Sequence, residues 1–508
     1  MKKALLSIAL FCATTFSYAE DLTNEFSTLG SNDVYVGKYA PVKTPICCND
    51  EHIFQTGRYD YPIMIGDCFL ENIATSAFVA ASDFTMKNLW AVGLKGAARI
   101  TACTTDDKGN LFVTGIFADD LVVGSTDFAE QILVGCPDTH EMSSAFLAKY
   151  NAEGQLQGVQ LIAMNKNKAI PSDNDAYEFD GAFTPSSMVF CNNRIYLSAT
   201  YSGTYEVGNL SQNSSFINGM GALIDATALC VLSFDANTLE DPRQELDMNN
   251  TTMEGALDNG PRSITLATDK EGEVYVAMIS TDKTTLCIGE KTEQINLETD
   301  EFASIIVRLK EASITVLGTT KGERYWYANE VNSIKIVEGK ILLAGTFSCP
   351  LTFAGSCNPD LWCDQWKSCL DLQTYQLLWA HCTGAKREEM PDTNSMYRYT
   401  NTADYNAYEG TWTSIGSTIF TSSVDGSTFK VQTDETALGI FEHPLGSLLT
   451  TLTPTGYKLL FNETPTHSIQ NPSEGISEKK GPLYDLSGRI IQHLKKGIYI
   501  QDGKKILR

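Results

Sequence analysis

Leu111–Gly115 (LFVTG) followed by Leu121–Gly124 (LVVG) is the clearest copy of a pattern that recurs along the chain. In it, β-branched and aromatic residues lead to a small residue or glycine, a polar turn follows, and a second apolar run often ends at glycine. Short apolar runs bounded by turn residues are typical of β-strands, so each pair of runs predicts a β-hairpin. A third run, Ala145–Tyr150 (AFLAKY), and a turn at Asn151–Gly154 follow, and a fourth strand is visible at Leu89–Ala91 in the preceding copy. The repeating unit therefore has about four strands.

Six copies of this pattern start 58 to 84 residues apart. This spacing exceeds the roughly 40 to 50 residues of a lean propeller blade, so the surplus is expected in loops. In chain order, the paired runs are Ile53–Gly57 with Ile63–Gly66, Leu111–Gly115 with Leu121–Gly124, Ile195–Ala199 with Tyr205–Gly208, Val274–Ala277 with Leu286–Gly289, Ile341–Gly345 with Leu351–Gly355, and Ile419–Ser422 with Phe429–Val431.

The repetition predicts an all-β fold, a β-propeller over residues 20–461. A four-stranded unit that cannot bury both faces alone stacks on its neighbours, and radial stacking gives a propeller. Six copies predict six blades, with seven blades or an array of β-sandwiches as the alternatives. The segment Asp33–Tyr39 resembles the third strand of a unit but has no first or second strand before it. We therefore expect it to complete the last blade and to close the ring.

The unit from Leu111 to Gly154 resembles the propeller repeats of exported bacterial proteins. The resemblance covers about residues 31–460 and implies the same fold for this chain. Its motif is made of strand and turn residues, so it implies nothing about a ligand.

The first 19 residues have the three parts of a secretory signal peptide. Lys2 and Lys3 form a charged start, Ala4–Phe16 is an apolar run, and Ser17–Ala19 matches a small-x-small cleavage site. The alternative is a membrane anchor, but a run of 13 residues is shorter than the roughly 20 needed to span a bilayer. No later segment has that length without charges, so we expect no transmembrane segment in the mature chain.

The last residues of the sequence differ in character from the body. Residues 462–481 are polar and rich in proline and serine, which predicts a linker. Residues 482–508 contain short apolar runs with Asp502-Gly503 as a tight turn, which predicts a β-hairpin. They resemble the C-terminal sorting segment of Bacteroidetes proteins handled by the type IX secretion system. The resemblance rests on Tyr484, Asp485, Leu486, Ser487, Gly488, Arg489, Gly497, Tyr499, Gly503, Lys504 and Lys505. It implies the secretion machinery as a partner and an extracellular or outer-surface location, with the periplasm as the alternative.

Charge and cysteine content limit the classes of partner and site. The formal net charge is −24, and loss of the signal peptide would leave 36 basic against 62 acidic residues. Nucleic acid is not expected as a partner, because phosphate binding requires clustered lysine and arginine. Among 14 cysteines, Cys349, Cys357, Cys363 and Cys369 form a local cluster. One or two disulfides are favoured over a zinc site, which would need tighter paired spacing.

The sequence contains no recognisable catalytic motif. A nucleophile elbow, a phosphate loop and a dinucleotide fingerprint are all missing, and the six histidines are scattered. No catalytic residue, metal site or cofactor is therefore predicted. The favoured function is a non-catalytic binding or scaffolding module of a bacterial envelope, with a glycan or a protein as its ligand. The alternative is a propeller hydrolase acting on polysaccharide or peptide.

One loop has the composition of a recognition surface. Its candidate binding residues are Tyr397, Tyr399, Tyr405, Tyr408 and Trp412, which stand among asparagine, arginine and acidic residues. Rigid amphipathic aromatics are enriched where proteins recognise their ligands. The alternative is that these rings pack over neighbouring strands as part of an ordered connection.

Overall fold

A computed structural model of the chain gives the fold, and every helix or strand assigned in its described residues is a β-strand. The structure describes residues 31–35, 45–72, 76–135, 144–165, 182–217, 223–225, 228–249, 264–281, 283–297, 301–321, 330–337, 339–347, 361–362, 364–382, 385–386, 405–406, 411–412, 417–421, 428–432, 436–443, 446–453, 456–462, 498–501 and 504–507.

The strands are numbered in chain order. The first group is β1 (Ser31–Tyr35), β2 (Ile46–Cys48), β3 (Ile53–Tyr59), β4 (Ile63–Ile65), β5 (Cys68–Leu70), β6 (Ser76–Ser82), β7 (Asn88–Lys95), β8 (Ala98–Thr105), β9 (Leu111–Phe117), β10 (Asp120–Val123), β11 (Gln131–Val134), β12 (Ser144–Tyr150) and β13 (Leu156–Asn165). The second is β14 (Ala182–Cys191), β15 (Arg194–Ser202), β16 (Thr204–Val207), β17 (Leu210–Asn213), β18 (Ser215–Ile217), β19 (Leu223–Asp225), β20 (Ala228–Asp235), β21 (Arg243–Asn249), β22 (Ile264–Thr268), β23 (Val274–Thr281), β24 (Lys283–Ile288), β25 (Lys291–Asn296), β26 (Glu301–Arg308) and β27 (Ser313–Lys321). The third is β28 (Glu330–Val337), β29 (Lys340–Phe347), β30 (Leu361–Trp362), β31 (Asp364–Asp371), β32 (Leu377–Cys382), β33 (Ala385–Lys386), β34 (Tyr405–Asn406), β35 (Thr411–Trp412), β36 (Ser417–Thr421), β37 (Thr428–Gln432), β38 (Thr436–His443), β39 (Gly446–Thr453), β40 (Gly456–Asn462), β41 (Ile498–Gln501) and β42 (Lys504–Leu507).

Five successive sheets share one topology, an antiparallel meander of four strands. Sheet 1 contains β2, β3, β6 and β7, sheet 2 contains β8, β9, β12 and β13, and sheet 3 contains β14, β15, β20 and β21. Sheet 4 contains β22, β23, β26 and β27, and sheet 5 contains β28, β29, β31 and β32. Within each meander, strands that follow one another in the sequence are also neighbours in the sheet. The insertions described below are the exceptions.

Consecutive sheets pack face to face through apolar clusters. Phe54 of sheet 1 and Phe146 of sheet 2 belong to one cluster, and Leu147 of sheet 2 and Phe234 of sheet 3 belong to the next. Further clusters join sheet 3 to sheet 4 and sheet 4 to sheet 5. The first strands of the sheets lie side by side, β2 by β8, β8 by β14, β14 by β22 and β22 by β28. Sheets that stack around a shared set of inner strands make this an all-β, propeller-like fold.

The apolar runs of the sequence pattern are the second strands of these sheets. Every residue of β9 is buried, because β8 and β12 flank it and apolar clusters cover both of its faces. Gly115 allows this packing, since a Cβ at that position would overlap the backbone oxygen of Arg99 in β8.

The predicted hairpins are wrong for the copies in sheets 1 to 4. Both edges of β9 are occupied by β8 and β12, so β10 pairs with β11 and with β7 of sheet 1 instead. Likewise β16 pairs with β13 of sheet 2, β24 pairs with β21 of sheet 3, and β4 pairs with β5. Each insertion after β9, β15 and β23 therefore covers the outer edge of the preceding sheet. The sixth predicted pair, β36 and β37, does form a hairpin, and residues 351–355 of the fifth lie outside the described residues.

The N-terminal strand completes a further sheet, here called the closing sheet, with β38, β39 and β40. β1 pairs antiparallel with β40, from Ser31 opposite Leu460 to Tyr35 opposite Gly456. A strand is present in the expected region, but it begins two residues earlier than predicted. Residues 36–39 of the predicted segment lie outside the described part of the chain.

The chain divides into two compact units, Met1–Thr466 and His467–Arg508. In the second unit, β41 and β42 pair antiparallel, with Ile498 opposite Leu507 and Gln501 opposite Lys504. Within the described residues, no helix has the length and apolar character needed to cross a membrane.

Candidate functional site

The predicted aromatic site lies mostly beyond the described residues. Tyr397, Tyr399 and Tyr408 are outside them. Tyr405 in β34 and Trp412 in β35 stand opposite each other in a two-stranded ladder. The backbone pairing brings these two positions together, and their role in binding stays a prediction.

The sorting-like residues are also only partly described. Tyr499 lies in β41, and Lys504 and Lys505 lie in β42. The remaining positions, Tyr484, Asp485, Leu486, Ser487, Gly488, Arg489, Gly497 and Gly503, lie outside the described residues. Of the cysteine cluster, Cys369 is buried in β31, and Cys349, Cys357 and Cys363 lie outside the described residues.

A groove of about 1020 Å³ runs along the outer edge of β7, the last strand of sheet 1. β7 pairs with β6 along most of its length, but β10 covers its other side only at Leu94 and Lys95. The Gly93 carbonyl accepts one more hydrogen bond, from the Gly124 N–H at 3.2 Å. No strand of the described chain pairs with this edge from Asn88 to Val92. About 17 Å of extended backbone therefore borders the groove without a strand partner.

Trp90 forms the floor of the groove. It is 6% exposed, and its indole N–H donates to the Ala152 carbonyl at 2.8 Å. Its ring packs against Phe54 and Tyr150, at centroid distances of 6.1 and 6.2 Å. Gly154, with φ of +77°, lets the β12–β13 turn cross this ring, because a Cβ there would overlap it. The indole is thus held in one orientation by residues of its own sheet and of sheet 2.

Three exposed apolar side chains line the groove. Phe69 is 61% exposed, Leu89 is 42% exposed and Phe128 is 88% exposed. Phe69 belongs to β5, whose hairpin is tied to β7 by a 3.0 Å hydrogen bond from the Asn88 amide to the Ile65 carbonyl. Phe128 has φ of +65°, a region that bulky residues rarely adopt.

The loop that carries Phe128 is anchored to sheet 2. The Thr126 N–H donates to the Gly154 carbonyl at 3.2 Å. The Ser125 hydroxyl oxygen accepts the Leu156 N–H at 2.9 Å. Because both bonds reach the β12–β13 turn, Phe128 is presented from a fixed base.

The rim of the groove is acidic. Glu51, Glu71, Glu130 and Glu153 line it, together with the single ammonium group of Lys95. The Lys95 Nζ lies 3.4 Å from a Glu130 oxygen and 3.9 Å from a Glu71 oxygen. One cation thus faces four carboxylates, and the remaining negative charge favours a cationic ligand.

A second cavity, of about 410 Å³, is lined by charged residues of sheet 4 and by Leu372 and Gln373 of sheet 5. Its carboxylates are engaged within the protein. Buried Glu273 accepts the Lys310 N–H at 2.8 Å through one oxygen, and its other oxygen lies 3.7 Å from an Arg308 nitrogen. Another Arg308 nitrogen lies 2.7 Å from a Glu311 oxygen. The cluster holds the β22–β23 turn against the β26–β27 turn, which is a structural role.

Asp269 and Tyr275 extend this cluster. Asp269 accepts the Glu273 N–H at 2.9 Å and the Tyr275 hydroxyl at 3.0 Å. Burial, followed by the Asp269 carboxylate, raises the pKa of Tyr275. The phenol therefore stays protonated and donates to the carboxylate at ordinary pH.

Other acidic residues stabilise turns between strands. Asp83, Asp106, Asp235 and Asp371 each accept backbone N–H groups two to four residues ahead, as Asx turns do. The N–H and hydroxyl of Thr374 lower the pKa of Asp371. Part of the acidity of the chain is thus used in shaping connections between strands.

The comparisons with known proteins give no family. No family model matches the chain, and no curated protein matches it. Among solved structures, Sqt1 of Saccharomyces cerevisiae is 10% identical with a TM-score of 0.30, covering 86% of this chain and 98% of Sqt1. MPT-4, a mannose phosphorylase from Leishmania mexicana, is 11% identical with a TM-score of 0.26, covering 72% of this chain and 84% of that one. A mutant of NanB sialidase from Streptococcus pneumoniae is 8% identical with a TM-score of 0.23, covering 87% and 70%. At these scores the likenesses carry no argument about function.

Sequence reasoning does not find the groove. The residues Leu89–Ala91 predict only a strand, and Phe128 is a single apolar residue in a polar turn. The groove exists because β10 meets β7 over two residues only, and this pairing register leaves no signal in the local sequence.

Proposed function

We propose that the protein is a non-catalytic binding module whose groove along β7 takes an extended polypeptide segment of a partner protein. The observation that carries this proposal is the open edge of β7 from Asn88 to Val92, bordered by exposed Phe69 and Phe128. A peptide that adds a strand to such an edge gains main-chain hydrogen bonds, and side-chain contacts supply its specificity. The open edge accommodates about five residues.

The partner segment is expected to combine apolar and basic residues. Phe69, Leu89 and Phe128 offer apolar surface along the groove, and the glutamates of the rim favour lysine or arginine beside it. The net charge of −24 acts in the same direction at longer range.

The two other candidate activities have less support. The exposed walls of the groove are phenylalanine and leucine, whereas a glycan offers mainly hydroxyl groups. A hydrolase would draw on the charged cavity of sheet 4, where Asp269 and Glu273 already have hydrogen-bond partners within the chain. Peptide binding is therefore the function we favour.

For the fold, we propose a six-bladed propeller built from sheets 1 to 5 and the closing sheet. The pairing of β1 with β40 supports a closed ring. A second observation also supports a closed ring. β4, in the insertion of sheet 1, lies beside β1 of the closing sheet. Insertions of the later sheets lie in the same way beside the last strand of the preceding sheet.

The groove can be tested with a fluorescent peptide that alternates isoleucine and lysine, measured by fluorescence polarisation. We expect micromolar binding that weakens at least tenfold in Phe128→Ser, because an exposed aromatic anchor at an interface contributes about 1–2 kcal/mol or more. Replacing lysine by glutamate in the peptide, or N-methylating its alternate amides, should also weaken binding.

The matched control is Leu378→Ser, since Leu378 is 52% exposed but lies in β32, away from the residues of the groove. It should bind the peptide as the parent protein does. Equal binding by the parent protein and Phe128→Ser would rule out the groove as the binding site.

We also propose that the protein is exported and held at the outer cell surface through its C-terminal segment. The signal-like residues 1–19 and the sorting-like residues 482–508 support this proposal. Deletion of residues 483–508 should abolish surface labelling of intact cells while the truncated protein accumulates in the periplasm. Unchanged surface display after the deletion would contradict the sorting role.

A further inference from the structure

Three cysteines lie where the first strands of sheets 1 and 2 run side by side. Cys47 and Cys48 are consecutive in β2, and Cys103 lies in β8. Cys47 and Cys103 both pack against the apolar cluster between the two sheets, whereas Cys48 packs against a separate cluster of sheet 1 and its insertion. The Thr105 hydroxyl donates a hydrogen bond to the Cys48 carbonyl at 3.5 Å. This bond places the two strands relative to each other.

We propose that Cys47 and Cys103 are a disulfide-forming pair that joins the inner strands of sheets 1 and 2. Successive side chains of a strand point to opposite faces, so Cys48 points away from the face on which Cys47 meets Cys103. β2 and β8 lie side by side and the two thiols share one apolar cluster, which is the proximity that a disulfide of about 2.05 Å requires. The arrangement therefore selects Cys47, and not its neighbour, as the partner of Cys103.

The reaction is a thiol–disulfide exchange with a small disulfide such as oxidised glutathione. One protein thiol loses its proton and attacks the small disulfide, which gives a mixed disulfide and releases one reduced thiol. The second protein thiol then loses its proton, attacks the mixed disulfide and releases the other half as a second reduced thiol. Two protein thiols are oxidised, and one small disulfide is reduced to two thiols that take up both protons.

The environment of the pair sets its rate of oxidation. Cys47, Cys48 and Cys103 are half-buried, so a small disulfide has partial access to them. Burial and the neighbouring Cys103 raise the pKa of Cys47, and burial raises the pKa of Cys48 to about 11. Because the thiolate is the nucleophile, oxidation of the folded chain is slow at neutral pH and faster at alkaline pH.

The bond would enclose the rest of sheet 1 in a covalent loop. Everything between β2 and β8, including the groove strand β7, lies between the two cysteines in the chain. A disulfide that closes a long loop stabilises the fold mainly by restricting the unfolded chain. The oxidised protein should therefore unfold at a temperature several degrees above the reduced protein.

The test is a disulfide map of the folded full chain. The protein is incubated with oxidised glutathione at pH 8.5, blocked with N-ethylmaleimide, digested without reduction and analysed by mass spectrometry. We expect a peptide pair joined through Cys47 and Cys103, two fewer alkylatable thiols per chain, and a higher melting temperature. Both thiols recovered as alkylated peptides, or a link made through Cys48, would overturn the proposal.

Three variants support the map. Cys48→Ser should keep the cross-link, and Cys103→Ser should lose it. Cys287→Ser removes another half-buried thiol, in β24, and should leave the cross-link unchanged. Because the decisive measurement is made on the unsubstituted chain, a variant that fails to fold leaves the test intact.

Discussion

Asp247 is a buried acid whose surroundings favour the neutral form. It lies in β21, is 7% exposed, and accepts the Tyr201 hydroxyl at 2.7 Å and the Gln212 amide at 3.1 Å. Burial raises the pKa of Asp247 in spite of these two bonds. Gln212 belongs to β17, in the insertion that extends sheet 2, so the acid also links that insertion to sheet 3.

Asp247→Asn is therefore expected to stabilise the protein at pH 7. The folded state binds the Asp247 proton more tightly than the unfolded state does, so protonation of Asp247 stabilises the folded protein. This stabilisation is fully present below the unfolded pKa of about 4 and is lost as the pH rises through the folded pKa. Asparagine carries no charge at any pH, still accepts the Tyr201 hydroxyl through Oδ1, and donates through Nδ2 to Gln212 once the Gln212 amide turns its oxygen towards it. The melting temperature should rise by on the order of 2 °C at pH 7, and the difference between the two proteins should shrink towards pH 4.

Tyr201→Phe is the companion to this substitution. It leaves a buried Asp247 oxygen without its hydroxyl donor, so we expect it to lower the melting temperature at pH 7. Thermal scans of the three proteins from pH 4 to pH 8 separate the effects. A lower melting temperature for Asp247→Asn at every pH would mean that the carboxylate is stabilising and the argument from burial is wrong.

At the scale of strands, the sequence predicts where strands occur better than it predicts which strands pair with each other. β9, β12, β20 and β26 are long apolar runs buried on both faces, and such runs are visible without a structure. The first strands are harder to see, because β14 mixes serine, threonine and proline with apolar residues. The unit of about four strands is correct, but one of its predicted members, such as β10, belongs to the preceding sheet.

The same distinction explains why the groove is found only in the structure. Pairing depends on which edges remain free after all neighbours are placed, and that is a tertiary property. β10 could cover more of β7, yet Gly124 turns the chain away after two paired residues, with its N–H on the Gly93 carbonyl. Phe128 then emerges in a left-handed conformation that no propensity predicts for phenylalanine.

At the scale of the first unit, β1 is the strand on which the closing sheet depends. Deleting residues 31–35 would expose the edge of β40 from Gly456 to Leu460. An exposed edge is a template for pairing with another chain, so we expect a lower melting temperature and self-association in size-exclusion chromatography. Deletion of residues 20–30, which precede β1, is the control and should change neither property. A truncated chain that stays monomeric with the parental melting temperature would contradict the role of β1.

The insertions that pair with the preceding sheet also determine the order in which strand pairs can form during synthesis of the chain. The outer edge of β7 at Leu94 and Lys95 stays open until β10 has been made, and β13 and β21 wait in the same way for β16 and β24. As the chain is synthesised, the last strands of sheets 1 to 3 each gain a partner from the following sheet, and β1, made first, pairs with β40 last. A chain that ends before residue 456 therefore leaves β1, the first strand to be made, without the partner with which it pairs in the complete fold.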